Sequence, residues 1–195
     1  MTVTDVNVVK SAIFERPDDA NKGTLGSLLC VCGSYGMAGA AVMSAKGALR
    51  TGIGLAKCAL PRSIYPIVAQ TILESVYYPL SENADGRISK VNVPFLVSES
   101  CKSSATLVGC GLGVCDDTLK IVFSLIENST TPLVLDADAL NCVAKQPEIL
   151  LRKKAPIIIT PHPGEMSRLT GLATPLVNAE RERVALDFAQ KYGVF

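Results

Sequence analysis

The chain has 195 residues, 48% of them hydrophobic and 19% charged, which supplies the apolar material of one ordinary globular domain and excludes a disordered or collagenous chain. Nineteen Lys and Arg against eighteen Asp and Glu leave a formal charge of +1, and the longest basic run is Arg152-Lys153-Lys154, so the concentrated basic face of a nucleic-acid binder is missing. The seven cysteines, Cys30, Cys32, Cys58, Cys101, Cys110, Cys115 and Cys142, are odd in number, scattered and without a C-x-x-C pair, and read as small buried hydrophobes in a reducing compartment.

Residues 1–10 carry no basic, apolar leader, and no stretch reaches the roughly 18 uninterrupted apolar residues of a membrane span. The expected location is therefore cytoplasmic, with no membrane partner. Residues 1–21 are polar and include Pro17, Asp18 and Asp19, which reads as a lead-in to a single domain at 22–195. Residues 27–32 form an apolar run between glycines, suited to a strand buried on both faces, with Cys30 and Cys32 on one side of it. A glycine turn follows, and then strong helix formers from Ala38 to Arg50, with Gly52 placed to cap them. The alternation continues with strands at 53–60 and 72–77 around a short helix at 62–70. Further strands are expected at 106–108, Leu133–Leu135 and Ile157–Ile159, and helices at 118–127, 139–144, 165–169 and 178–191. Continuous apolar strands alternating with helices predict an α/β fold with a mostly parallel sheet covered on both sides. Gly193 suits a helix C-cap, and Val194-Phe195 read as the start of another strand, so the fold is expected to be incomplete at its C-terminus, with an uncovered sheet edge prone to association.

In doubly wound sheets ligands bind beyond the carboxyl ends of the strands, and four loops there are unusual. Gly33-Ser34-Tyr35-Gly36-Met37-Ala38-Gly39-Ala40 leads into a helix N-terminus, which suits an anion, although a tight turn explains the glycines equally well. Its spacing is neither G-x-G-x-x-G nor a P-loop. Gly109-Cys110-Gly111-Leu112-Gly113 repeats the arrangement. Asp136-Ala137-Asp138-Ala139-Leu140-Asn141 puts two carboxylates and an amide at a strand end, where they could hold magnesium or a ligand hydroxyl, or where an aspartate could simply cap the next helix. Thr160-Pro161-His162-Pro163-Gly164-Glu165 contains the chain's only histidine, aimed by a proline on either side.

Together with Lys22-Gly23-Thr24-Leu25-Gly26 and Ala48-Leu49-Arg50-Thr51-Gly52-Ile53-Gly54, these motifs stand in the order that resembles the ADP/ATP-dependent NAD(P)H-hydrate dehydratase family. The resemblance implies a ribokinase-like three-layer sandwich. It also implies repair of the S form of hydrated NADH or NADPH, with ADP or ATP as co-substrate, ADP the favoured one, and with Mg2+. By the same resemblance Gly39, Ala40, Gly111 and His162 would line the hydrated dinucleotide. Gly33, Ser34, Asp138 and Asn141 would lie near the phosphates or nucleotide, and Asp136 and Glu165 near the metal. The partners implied are the hydrated dinucleotide, an adenine nucleotide and, for the complete enzyme, further copies of itself. The family's Gly-x-Gly-Asp stretch, whose aspartate acts as base, has no counterpart in the 195 residues. No catalytic residue is assigned on that account, and the expected aspartate would lie beyond Phe195. This chain alone is expected to be inactive. The competing expectations are a ribokinase-like kinase of a small hydroxylated metabolite and a non-catalytic dinucleotide-binding fragment.

Overall fold

The structure is a computed structural model that describes residues 18–21 and 23–195. The lead-in expected at 1–21 falls mostly outside the described residues, as does Lys22. Six strands are found, β1 (Ser27–Val31), β2 (Leu55–Pro61), β3 (Val76–Leu80), β4 (Ala105–Val108), β5 (Leu133–Leu135) and β6 (Ile157–Ile159). They form one sheet in the order β3-β2-β1-β4-β5-β6, and every pair is parallel. The chain winds outward from β1 to β3, returns to set β4 on the other flank of β1, and winds outward again. The order reverses between β1 and β4, which makes that boundary the switch point of a doubly wound sheet.

The registers bring the functional loops to one edge. Val31 pairs with Val108, Val108 with Leu135, and Leu135 with Ile159, so the chain leaves β1, β4, β5 and β6 along a single line. The pleat sorts the side chains of β1 into two cores. Leu29 and Val31 join the larger one, while Cys30 and Cys32 turn to the other face with Cys58, Ala41 and Ala45. Small residues on both sides of that contact let α1 (Ala38–Arg50) lie close to the sheet. The cysteines at 30, 32, 58 and 142 are buried and all seven are free, in keeping with their reading as small hydrophobes.

On the α1 face α2 (Tyr65–Thr71) follows a 3-10 turn at Arg62–Ile64. The opposite layer contains α3 (Val93–Cys101), α4 (Asp116–Asn128) and α5 (Asp138–Val143), whose buried side chains enter the larger core. It continues through α6 (Pro163–Thr170), α7 (Thr174–Ala179) and α8 (Arg181–Tyr192).

Three elements differ from expectation. The strand expected at 72–77 begins at Val76, because Ile72 belongs to the end of α2, where its N–H bonds to Val68 and its side chain joins the α2 core. Pro79 sits within β3 without penalty because β3 is an edge strand. The helix expected at 178–191 is broken at Glu180, whose φ of −127° and ψ of 39° are not helical. Helix α3 was not expected at all. At the far end Gly193 adopts the left-handed conformation (φ 62°) and directs Phe195 alongside β6. There the Phe195 N–H donates to Ile157 O at 2.9 Å and its carbonyl accepts from Ile159 N at 2.8 Å.

Candidate functional site

At the switch point the two glycine loops are bonded to each other. Gly33 N–H donates to Cys110 O at 2.9 Å, Gly109 N–H donates to Val31 O at 3.2 Å, and the buried Ser34 hydroxyl donates to Gly111 O at 2.8 Å. Gly111 has a φ of +65°, and a Cβ there would stand 2.6 Å from the Ala40 Cβ. Gly111 and Ala40 therefore form one surface, although they are remote in sequence. Beside them Gly39 faces open space, with nothing within 4 Å of a would-be Cβ. The N-cap of α1 is Met37, which makes no side-chain capping bond, so the positive end of this helix faces the crevice uncovered by a cap.

The aspartate loop is pressed against the same glycines. A Cβ on Gly109 (φ +125°) would overlap the Asp136 carbonyl and Ala139, so only glycine fits. On the other side of that contact Ala137 takes a φ of 48° and ψ of −114°, the one positive φ among the described non-glycine residues. Such a conformation costs about 1–3 kcal/mol and persists where its surroundings over-determine it. The N-cap of α5 is Ala137, without a side-chain capping bond, so neither aspartate spends itself on capping. Instead Asp138 Oδ2 accepts from Gly113 N at 2.8 Å and its Oδ1 from Asn141 Nδ2 at 3.3 Å. Asn141 Oδ1 in turn accepts from Arg168 Nε at 2.7 Å. Asp136 accepts from the Thr160 hydroxyl at 2.7 Å through Oδ1 and from the Cys110 thiol at 3.3 Å through Oδ2. The neighbouring Cys110 thiol, together with burial, holds the Cys32 thiol well above the usual range.

His162 is the N-cap of α6. Its Nδ1 accepts from Gly164 N at 3.0 Å, which leaves the ring proton on Nε2 in the neutral form. Glu165 completes a capping box, with Oε2 accepting from His162 N at 2.9 Å and Oε1 lying 3.3 Å from His162 Nε2. The His162 side chain is 62% exposed and that of Glu165 only 6%. The imidazole thus stands at the rim while the carboxylate beneath it is committed to the cap.

The residues expected to meet do so in part. Gly33, Ser34, Gly39, Ala40 and Gly111 share the crevice, Asp136, Asp138 and Asn141 form its next wall, and His162 with Glu165 follows after β6. No group of three or more His, Cys, Asp or Glu suited to a metal ion occurs among the described residues. Asp136 and Glu165 each accept hydrogen bonds from protein groups through their carboxylate oxygens. Of the motif at 22–26 the described residues 23–26, like the motif at 48–54, lie at the opposite, amino edge. There Gly54 N–H bonds to Leu25 O at 3.3 Å and Leu55 N–H to Gly26 O at 3.1 Å, a structural join between the segments that enter β1 and β2.

One wall was missed. Residues 81–88 double back through an antiparallel bridge between Glu82 and Ile88 and reach the crevice. Tyr35 N–H donates to Gly86 O at 2.8 Å, and a Cβ on Gly113 would overlap the Arg87 side chain. The signal available in sequence was Asn83-Ala84-Asp85-Gly86, a tight turn in which Asn83 Oδ1 accepts from Asp85 N and Arg87 N, each at 3.1 Å. That pattern announces a turn but not its neighbour.

Residues 28–195 match the family described as NAD(P)H-hydrate dehydratase. The chain belongs to this family. Among relatives, a bifunctional NAD(P)H-hydrate repair enzyme Nnr of Thermofilum pendens is 38% identical over 176 residues, 90% of this chain and 34% of that protein. An ADP-dependent (S)-NAD(P)H-hydrate dehydratase of Neisseria meningitidis is 32% identical over 169 residues, 85% of this chain and 53% of that protein. The chain therefore spans about a third to a half of the length of these two relatives. The crystal structure of the ADP/ATP-dependent NAD(P)H-hydrate dehydratase of Bacillus subtilis, co-crystallized with ATP/Mg2+, superposes with a TM-score of 0.77 at 26% identity, covering 96% of this chain and 62% of that one. The layered, parallel architecture of this dehydratase-family chain is the ribokinase-like sandwich expected from the sequence.

Proposed function

We propose that this chain supplies the dinucleotide side of a repair enzyme that dehydrates the S form of hydrated NADH or NADPH at the expense of ADP or ATP, ADP being the expected co-substrate. The observation that carries this reading is the contact between Gly111 and Ala40 at the switch point, beside an open Gly39 and an uncapped helix N-terminus. Hydroxide is a poor leaving group. In the proposed reaction the ring hydroxyl loses its proton and takes a phosphoryl group from the nucleotide; phosphate then departs with the electrons of the C–O bond while the neighbouring carbon gives up a proton. The nicotinamide double bond is restored, and ADP ends as AMP and phosphate. Such chemistry depends on positioning and on a field complementary to the moving negative charge, which helix N-termini and glycine loops provide.

Each part of the wall has a task in this reading. Gly39, Ala40 and Gly111 leave room for the hydrated ring, and Gly33 and Ser34 hold their loop against the second glycine loop. His162 offers Nε2–H to the substrate from a fixed cap. Asp138 and Asn141 brace the phosphate end through Gly113 and Arg168. Magnesium enters as the companion of the nucleotide phosphates, with Asp136 and Glu165 no closer than its surroundings. The family's Gly-x-Gly-Asp stretch has no counterpart in these 195 residues, so no general base is assigned among them and residues 1–195 alone are expected to show no turnover. Cytoplasmic location, homo-oligomeric assembly and the absence of a nucleic-acid partner complete the reading; among the described residues no helix is long and apolar enough to cross a membrane.

The test is recovery of NADH or NADPH absorbance when full-length protein meets each hydrate with ADP or ATP. Nucleotide-dependent recovery is expected. No recovery with either nucleotide overturns the reading, and turnover by residues 1–195 alone would show that they contain a base.

A further inference from the structure

A second cavity opens beyond the crevice, between the loop after β1 and the excursion at 81–88. Its volume is about 470 Å3, and Tyr35, Ser63, Glu82, Asp85 and the turn between them line it. The structural motifs leave it unused. We infer that this cavity takes the adenosine end of the hydrated dinucleotide, with the ribose 2′,3′-diol on Glu82, and that it favours NADH hydrate over NADPH hydrate. The inference rests on the dehydratase reading above and adds the source of its substrate preference.

The volume is that of a small-ligand pocket. Tyr35 is 74% exposed, yet its backbone is held by the bond to Gly86 O, and a Cβ on Gly86 would overlap that of Tyr35. An exposed ring on a fixed backbone is a stacking platform for a base, an interaction of about 1–3 kcal/mol. Glu82 follows β3, and its Oε2 accepts from the Ser63 hydroxyl at 2.6 Å, which holds the carboxylate over the ends of β2 and β3. A carboxylate accepts from both hydroxyls of a vicinal diol. A 2′-phosphate, with a charge of roughly −1.5 to −2, would instead face Glu82 and Asp85.

Among the described residues no cation lines this cavity. Arg87 lies along Gly113 and is already paired with Asp85 at 3.2 Å. The loop that carries Tyr35 runs directly into the first turn of α1, which carries Gly39, so one segment addresses both ends of a dinucleotide. The ring end enters the crevice and the adenosine end lies beside the hairpin.

The experiment compares kcat/KM for NADH hydrate and NADPH hydrate in full-length enzyme, with the variants Glu82→Gln and Tyr35→Ala, alongside equilibrium binding of NAD+, NADP+ and ADP to this chain. Thermal melts confirm folding of both variants. Wild type is expected to favour NADH hydrate by about tenfold, the equivalent of 1.4 kcal/mol. Glu82→Gln should remove most of that preference by lowering KM for NADPH hydrate, and Tyr35→Ala should raise KM for both hydrates by about tenfold. A wild type that favours NADPH hydrate, or a preference unmoved by Glu82→Gln, overturns the inference. If the variants change only KM for ADP, the adenosine belongs to the co-substrate and the assignment to the dinucleotide falls. If neither hydrate is dehydrated the dehydratase reading fails, and the ratio of NAD+ to NADP+ binding, with its response to Glu82→Gln, still decides the cavity.

Discussion

Gly111 and Ala40 touch so closely that the smallest side chain on Gly111 would stand 2.6 Å from the Ala40 methyl. The two residues set the width of the crevice between them. Gly111→Ala combines this overlap with a φ of +65° and should destabilise the fold by about 1–3 kcal/mol. In full-length enzyme it should also raise KM for the hydrated dinucleotide. Adding Ala40→Gly should restore part of both losses, because the two changes share one contact. Urea melts and initial rates on the single and double variants measure the coupling, and simple additivity would show that the contact does not define the crevice.

His162 separates two roles that one residue combines. His162→Ala removes the acceptor for Gly164 N and should cost about 1 kcal/mol of stability. His162→Asn supplies an equally good cap but no imidazole, so it should restore the melting temperature and not the activity. Equal activity in His162→Asn and wild type would leave the ring with no part in binding.

Glu99 of α3 is a buried anchor away from the crevice. The ammonium of Lys102 at 2.9 Å, opposed by burial and helped by Tyr78 and Lys57, holds its carboxyl below the usual range. A depressed carboxyl contributes stability that is present above its unfolded value, near 4.3, and lost as the pH falls through its folded value. Glu99→Gln should therefore destabilise the chain by about 1–3 kcal/mol at pH 7, with the difference closing below pH 4. Denaturant midpoints from pH 7 to pH 3 provide the check; a difference independent of pH would point to packing alone.

Cys115 caps α4. Burial alone would raise its thiol, but the amides of Thr118 and Asp117, the Thr118 hydroxyl and the Arg87 guanidinium bring it below the ordinary cysteine value. Alkylation at Cys115 should therefore persist as the pH is lowered to a point where an ordinary cysteine has ceased to react. Cys115→Ser should remove one low-pH alkylation site from a peptide map, leaving Cys110, whose thiol is also lowered. A low-pH map unchanged by Cys115→Ser would mean that Cys115 is not lowered.

Continuous apolar runs between glycines made part of the fold legible. The ranges Ala38–Arg50, Leu133–Leu135 and Ile157–Ile159 needed no adjustment, because a glycine, a proline or a polar turn marks their ends. Helix α3 was hidden because Val93-Pro94-Phe95-Leu96-Val97 has the content of a strand, and only the burial of Leu96, Glu99 and Ser100 against the rest of the molecule makes it a helix. The break at Glu180 has no glycine or proline to announce it. At the site, the loop residues could be named because each follows a recognisable strand. The part that Tyr35 plays there, and Glu82 and Arg87 altogether, could not, since their importance comes from a hairpin folding over a distant loop, and no local pattern records such a meeting.

Ser34 and Gly111 are joined across 77 residues of chain. As the chain emerges from the ribosome, β1, β2 and β3 can pair among themselves, but one flank of β1 stays open until β4 has appeared. A nascent piece ending before Ala105 holds Gly39 and Ala40 yet has no crevice, because the opposing wall has not been synthesised. Ligand capture thus becomes possible only when the second winding closes on the first, and until then the exposed flank of β1 is the part of the nascent chain most in need of protection from other unpaired strands.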